Sequence, residues 1–262
     1  MGAGSLPSPQ LRRGFRLQAR DLTVVGALGA LSAVMGLVPG IGFIPAPTPA
    51  GAATTMHLPA ILAGIVRGPA AGALVGAVFG FFSFSRATLP FFKDPLIAFG
   101  PRILIGVLAA YAFAALSRRA ARGVACLACG AAVYAVLGPG AIAFEAAFRA
   151  GKVQPSWLVS LYHAVASATA PHPLAAVLGG LGVAGLAYLL LRGEHAPVAA
   201  AAVVGTLTNT VGVLGLIVLR FPQLMPPGAA VVVGATHGLP EALLAVVVTV
   251  PVYRALRAAR LV

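Results

Sequence analysis

From Asp21 to Val252 the chain is a succession of apolar runs, about 15 to 23 residues each, broken by short segments rich in Pro, Gly and Arg. The runs are built of Ala, Leu, Val and Gly and do not alternate polar with apolar. A barrel strand would alternate. In lipid every backbone N–H and C=O must be bonded within the protein, so runs of this kind have to be helices. Water is excluded as the main solvent by the charge content. Only 9% of the residues are charged and 60% are hydrophobic, whereas a soluble domain carries roughly 25% charge. The expected fold is therefore an all-α polytopic membrane protein.

The formal net charge is +13, yet its placement does not fit a nucleic-acid surface. Cationic residues stand at the ends of apolar runs, with no basic stripe interleaved with aromatics. Eight apolar helices are expected, so both termini share a side. With the N-terminus inside, twelve of the 18 Lys and Arg residues fall on the cytoplasmic side, among them Arg12, Arg13, Arg16, Arg20, Arg118, Arg119, Arg254 and Arg257. This bias predicts cytoplasmic termini in a multi-pass cell-membrane protein surrounded by lipid. Arg12-Arg13-Gly14-Phe15 resembles a twin-arginine leader, but many further runs follow, and the arginines are read as holding the N-terminus inside.

Five segments follow from these boundaries. Residues 1–20 form a basic cytoplasmic tail, 21–117 carry four core helices, and 118–196 an inserted two-helix hairpin. Residues 197–257 carry two more core helices, and 258–262 a second tail. The first run ends at Pro39-Gly40, and Gly40–Thr55, with Pro45, Pro47 and Pro49, should be an extended cap. Two short helices are expected at 56–66 and 69–84, joined by a tight Arg67-Gly68-Pro69 turn with Pro in the first helical position. Within 118–196, the apolar stretches 121–149 and 172–191 flank a polar link holding Gln154, Trp157, Tyr162 and His163.

No Gly-rich phosphate loop, His-Glu-x-x-His or Gly-x-Ser-x-Gly occurs, so no catalytic set, ATPase site, metal site or cofactor is expected. Function must rest on the few polar residues inside apolar runs. Arg102, after Pro101, either holds a substrate carboxylate in its planar fork or snorkels, or pairs with Asp94. Thr206, Thr208, Asn209 and Thr210 cluster in mid-run, where Asn209 fixes a ligand amide or bonds a neighbouring helix. Glu241 and His237 lie one helical turn apart and either meet a polar substrate group or satisfy each other. His57 stands where the cap enters the second helix, as a structural hydrogen-bonder or a ligand contact. Cys126 and Cys129, at i and i+3, are read as small packing residues. In the first run, Gly26, Gly29, Ala30 and Ala33 have the small-xxx-small spacing that lets helices approach closely.

Five stretches in order carry a family resemblance: Thr54-Thr55-Met56-His57-Leu58-Pro59; Arg67-Gly68-Pro69-Ala70-Ala71-Gly72; Gly76-x-x-Phe79-Gly80-Phe81-x-Ser83-Phe84; Pro101-Arg102-Ile103-Leu104-Ile105-Gly106; and Gly205-Thr206-Leu207-Thr208-Asn209-Thr210. Over 21–117 and 197–257 the chain resembles the S components of energy-coupling-factor (ECF) vitamin transporters. The resemblance implies a six-helix core that captures a vitamin from outside, under the loop that is here Gly40–Thr55. It further implies docking on a membrane-embedded coupling subunit served by two cytoplasmic ATPase subunits, with Gly26, Gly29, Ala30 and Ala33 as the docking residues. The pattern is similar to pantothenate-type and riboflavin-type members. Arg102 and Asn209 suit the carboxylate and amide of pantothenate, whereas a flat ring favours Trp or Tyr, and the only Trp lies in the insert. A membrane enzyme using Glu241 with His237 or His57, a secondary carrier and a subunit that binds no small molecule are the competing classes.

Overall fold

The computed structural model describes residues 17–38, 40–45, 52–151 and 157–261. The expected basic tail up to residue 16, the cap prolines Pro47 and Pro49, and Gln154 lie outside them. The described chain is helical apart from one two-stranded hairpin, and it divides into two compact units, residues 1–117 with 197–262, and residues 118–196.

Six helices make up the first unit: α1 (Ala19–Leu37), α2 (His57–Arg67), α3 (Pro69–Ser85), α4 (Pro95–Leu116), α9 (Ala196–Arg220) and α10 (Pro227–Ala258). Strands β1 (Phe43–Pro45) and β2 (Ala52–Thr54) pair antiparallel between α1 and α2, with Phe43 opposite Thr54. Helix α2 is the centre of the unit, and every residue from His57 to Val66 is buried. Its 11 residues rise only about 16 Å, half a hydrocarbon core. It is apolar because protein surrounds it on all sides. Gly68, at φ +89°, makes the turn between α2 and α3, and Pro69 opens α3, as the Arg67-Gly68-Pro69 triplet predicts.

Glycines let α3 and α4 approach until their backbones touch. A Cβ on Gly72 would lie 2.7 Å from the Gly106 backbone, and one on Gly76 would run into the carbonyl of Arg102. The core beside this seam contains Ile61, Ile65, Val75, Phe79, Ile105 and Val198. A second cluster, with Phe91, Ile97, Ile217, Met225 and Val233, packs the other end of α4 against α9 and α10.

The second unit holds α5 (Arg119–Ala135), α6 (Ala141–Arg149), α7 (Trp157–Thr169) and α8 (Pro173–Leu191). A π-helical turn, Val136–Gly140, joins α5 to α6, so 119–149 forms one long apolar rod. Helix α5 packs on α8 where Gly130 faces the Gly180 backbone. The segment joining the two apolar stretches is itself helical in α7. Ser160, His163 and Ser167 fall at helical spacing along it. His163 Nδ1 pairs with buried Glu145 at 2.7 Å, and the Tyr162 hydroxyl donates to the Val136 carbonyl at 2.6 Å. Cys126 is buried and Cys129 exposed.

Among the described residues, Pro95–Leu116, Arg119–Arg149, Pro173–Leu191 and Ala196–Arg220 are long and apolar enough to cross a membrane. Leu127, Leu178, Leu181 and Leu190 stand outward, each 60–70% exposed. Such surfaces aggregate in water and are solvated in lipid. The chain is an all-α polytopic membrane protein.

Candidate substrate cavity

Pro95 follows Asp94, whose side chain caps α4 by accepting the Leu96 N–H at 2.9 Å. This start sets Arg102 two turns into α4, facing α3 and the segment that follows it. There the first unit forms a half-open cavity of ≈ 340 Å³. The cap contributes Phe43 and Thr54, and α3 contributes Phe79 and Ser83. Arg86, Thr88 and Phe92 come from the connection to α4. Arg102, Asn209 and Thr210 line the middle, and α10 adds Val233, His237 and Glu241. Ligand cavities commonly have this character, an apolar wall with a few convergent polar groups.

Arg102 is 3% exposed. Its guanidinium carbon lies 5.3 Å from the ring centroids of both Phe79 and Phe92, so two aromatic faces hold the planar group in place. Nη1 donates to the Ile97 carbonyl, while Nε has no hydrogen-bond partner among the described residues. Asp94 pairs elsewhere, with Arg220. Arg102 therefore neither snorkels to the surface nor pairs with Asp94. A guanidinium offers five N–H donors, and the cavity is where the unused ones can be met.

Asn209 is 6% exposed, and its Oδ1 also lacks a partner among the described residues. A buried amide oxygen without a donor is unfavourable unless something fills the site. Glu241 accepts the backbone N–H of Thr54 through Oε1 at 2.7 Å. His237 Nδ1 lies 3.2 Å from the Val233 carbonyl of its own helix. The fold thus brings Arg102, Asn209, His237 and Glu241 to one cavity from three helices.

Two other candidates lie elsewhere. His57 is fully buried at the start of α2 and does not line the cavity. The Thr208 hydroxyl donates to the Val204 carbonyl at 2.7 Å, and this residue does not line the cavity either. Phe79, Ser83, Arg86 and Phe92 are lining residues that the polar-in-apolar criterion passes over. Two are aromatic, and aromatic residues in an apolar run look like core.

The small residues of α1 divide between two faces. Gly29 is buried and would meet Val78 at 3.9 Å through a Cβ, whereas Gly26 is exposed with nothing within 4 Å. Ala30 is exposed and Ala33 half-buried.

Residues 20–253 match the family described as ECF transporter, substrate-specific component, and the chain belongs to that family. It is a substrate-binding subunit of an ECF transporter. Membership places it in a membrane complex with coupling and ATPase subunits, in a family of transporter subunits rather than of enzymes. A comparison with curated proteins returned no match.

Proposed function

We propose that this chain captures a small vitamin from outside the cell, the carboxylate-bearing pantothenate before the flat-ringed riboflavin. The cap 40–55 covers the vitamin, and ATP-driven partners reorient the bundle and release it inward. The observation that carries the reading is the state of Arg102: buried, clamped between Phe79 and Phe92, and without a carboxylate paired to it among the described residues. Glu241 acts on Arg102 only through space across the cavity, and a substrate carboxylate supplies the direct partner with fork geometry. Asn209 Oδ1 then accepts from an amide N–H or hydroxyl of the same molecule. A flat ring is less well served, because the Phe79 and Phe92 faces are already covered by Arg102. In this reading both termini are cytoplasmic and the cap faces outward.

The test is mass spectrometry of small molecules that copurify with the solubilised chain, beside titration of pantothenate and riboflavin into wild type and Arg102→Ala. Pantothenate retained by wild type and lost from the variant is the expected result. Retention by both would move the site toward Asn209. Riboflavin retained in its place would overturn the choice of vitamin.

A further inference from the structure

Glu241 stands where α10 meets the cap, and its one hydrogen bond to the backbone joins residues 187 apart in sequence. Strand β2 has a single partner, β1. Its other edge would leave the Thr54 N–H unmatched, although Thr54 is only 8% exposed. An unmatched buried N–H is strongly disfavoured. The Glu241 carboxylate meets that donor at 2.7 Å. The other bonds at the base of the cap run within it, back to α1 or on into the adjoining start of α2. Thr54 Oγ1 donates to the Gly42 carbonyl at 2.9 Å, Thr55 Oγ1 to Ile41 at 2.6 Å, and the Gly42 N–H to Met35 at 3.1 Å. The Thr54–Glu241 bond fastens the cap to the far wall of the cavity.

Charge argues against Glu241 as a direct ligand contact. Both Glu241 and Arg102 line the cavity, and a carboxylate substrate held by Arg102 would be repelled by a second carboxylate reaching for it. Oε1 accepts the Thr54 N–H, and the carboxylate also bonds the Thr210 side chain on α9, so its polar atoms are already engaged by the protein. We propose that Glu241 is a positioning residue that holds strand β2, the described base of the cap, at the cavity through the backbone of Thr54. The inference rests on the cavity being the capture site.

The test is hydrogen–deuterium exchange of the full chain in nanodiscs, without substrate, following the peptide that spans residues 52–58. Glu241→Asp keeps the charge but draws it back by one methylene, out of reach of Thr54. Glu241→Gln keeps the length and an acceptor oxygen but removes the charge. A cap tie requires the Thr54 amide to exchange about tenfold faster or more in E241D, and within about threefold of wild type in E241Q. Unchanged exchange in α3 and α4 establishes that both variants are folded. If E241Q exchanges faster than E241D, Glu241 serves as a charge rather than a tie, and the proposal is overturned. Equal protection in both variants overturns it as well. No substrate enters the measurement, so a wrong choice of vitamin leaves the result standing. Failure of the capture-site reading would show instead in the Arg102→Ala titration.

Discussion

Asp94, the cap of α4, is bonded to Arg220 at the end of α9, 2.6 Å from Nε to Oδ2. The two residues are 126 apart in sequence, and their pairing closes the end of the first unit at which the second apolar cluster lies. It also separates the duties of two arginines. Arg220 neutralises the exposed end of α4, and Arg102, two turns further along the helix, is left to the cavity.

Asp94 gives a pH-dependent prediction. Desolvation pushes its carboxyl upward, but the Leu96 N–H and the Arg220 guanidinium outweigh this and hold it below the usual carboxylate range. A lowered folded value means that the tie stabilises above the ordinary Asp pKa of ~3.9 and is lost as pH falls through the folded value. Asp94→Asn keeps the helix cap and removes the charge. The expected loss in Tm is about 1–3 °C at pH 7, narrowing as pH falls below the ordinary Asp value and through the lower folded one. Thermal unfolding of both proteins over a falling pH series checks it, and a gap that does not narrow in acid would contradict the ion-pair account.

For Arg102, truncation and conservative replacement should differ in degree. Arg102→Ala leaves a substrate carboxylate in an apolar cavity without a partner, and should weaken binding by roughly 30-fold to 1,000-fold. Arg102→Lys retains the charge but lacks the plane that fits between Phe79 and Phe92, and should still lose roughly tenfold. Calorimetric titration of the copurifying vitamin reads both. A lysine variant that binds like wild type would mean the aromatic clamp contributes nothing.

Much of this was legible in the sequence because lipid forces the issue. Apolar runs must be helices, and polar residues within them must be met inside the protein. That reasoning reached Arg102, Asn209, His237 and Glu241, which the fold brings to one cavity. It could not separate them from Thr208, whose hydroxyl is spent on its own helix four residues back, or from His57, buried in the core. A side chain's direction around a helix depends on which neighbours pack there, and the polar residues 206, 208, 209 and 210 are spread around their helix. Helix α7 was hidden for the converse reason. Its His163 and Tyr162 are met within the second unit by Glu145 and the Val136 carbonyl, partners too distant in sequence to be seen.

The seam between α3 and α4 should tolerate no added atom. A Cβ at Gly72 or Gly106 must displace backbone rather than a side-chain tip, so α4 would be pushed away and Arg102 moved with it. Gly106→Ala is expected to lower Tm by about 5 °C or more and to reduce substrate affinity together with it. Gly182→Ala has open space within 4 Å and should match wild type in Tm. Thermal unfolding in detergent compares the two directly, and equal effects would refute the close-packed seam.

Arg86 should govern how long substrate stays bound. It lines the cavity, and its Nη1 donates to the carbonyls of Gly36 and Leu37 at the end of α1. Those carbonyls have no helical partner of their own, and the cap departs from the chain immediately after them. Arg86→Ala frees the point from which the cap hangs. The expected effect is a dissociation rate about 3- to 10-fold faster with a smaller change in association rate, measured by stopped-flow release of bound vitamin. An unchanged dissociation rate would detach Arg86 from the cap.

The small residues of helix α1 fall on two faces, one exposed and one packed, and variants on each should act differently. Gly26 and Ala30 leave a shallow exposed track one turn apart, flanked by Leu22 and Leu31, which are 56% and 47% exposed, whereas Gly29 is buried toward Val78. In lipid, small residues in an exposed track allow another helix to come close enough for backbone contact, and a large side chain there holds it off. Gly26→Leu is therefore expected to leave Tm and vitamin binding of the isolated chain within experimental error of wild type. The same variant should reduce copurification with the coupling and ATPase subunits by about tenfold, which corresponds to a loss of about 1.4 kcal/mol. Gly29→Leu should do the opposite and lower Tm first, because its side chain meets α3. Quantifying the partner subunits pulled down by each tagged variant separates the cases. Full assembly with G26L would place the docking surface on another helix.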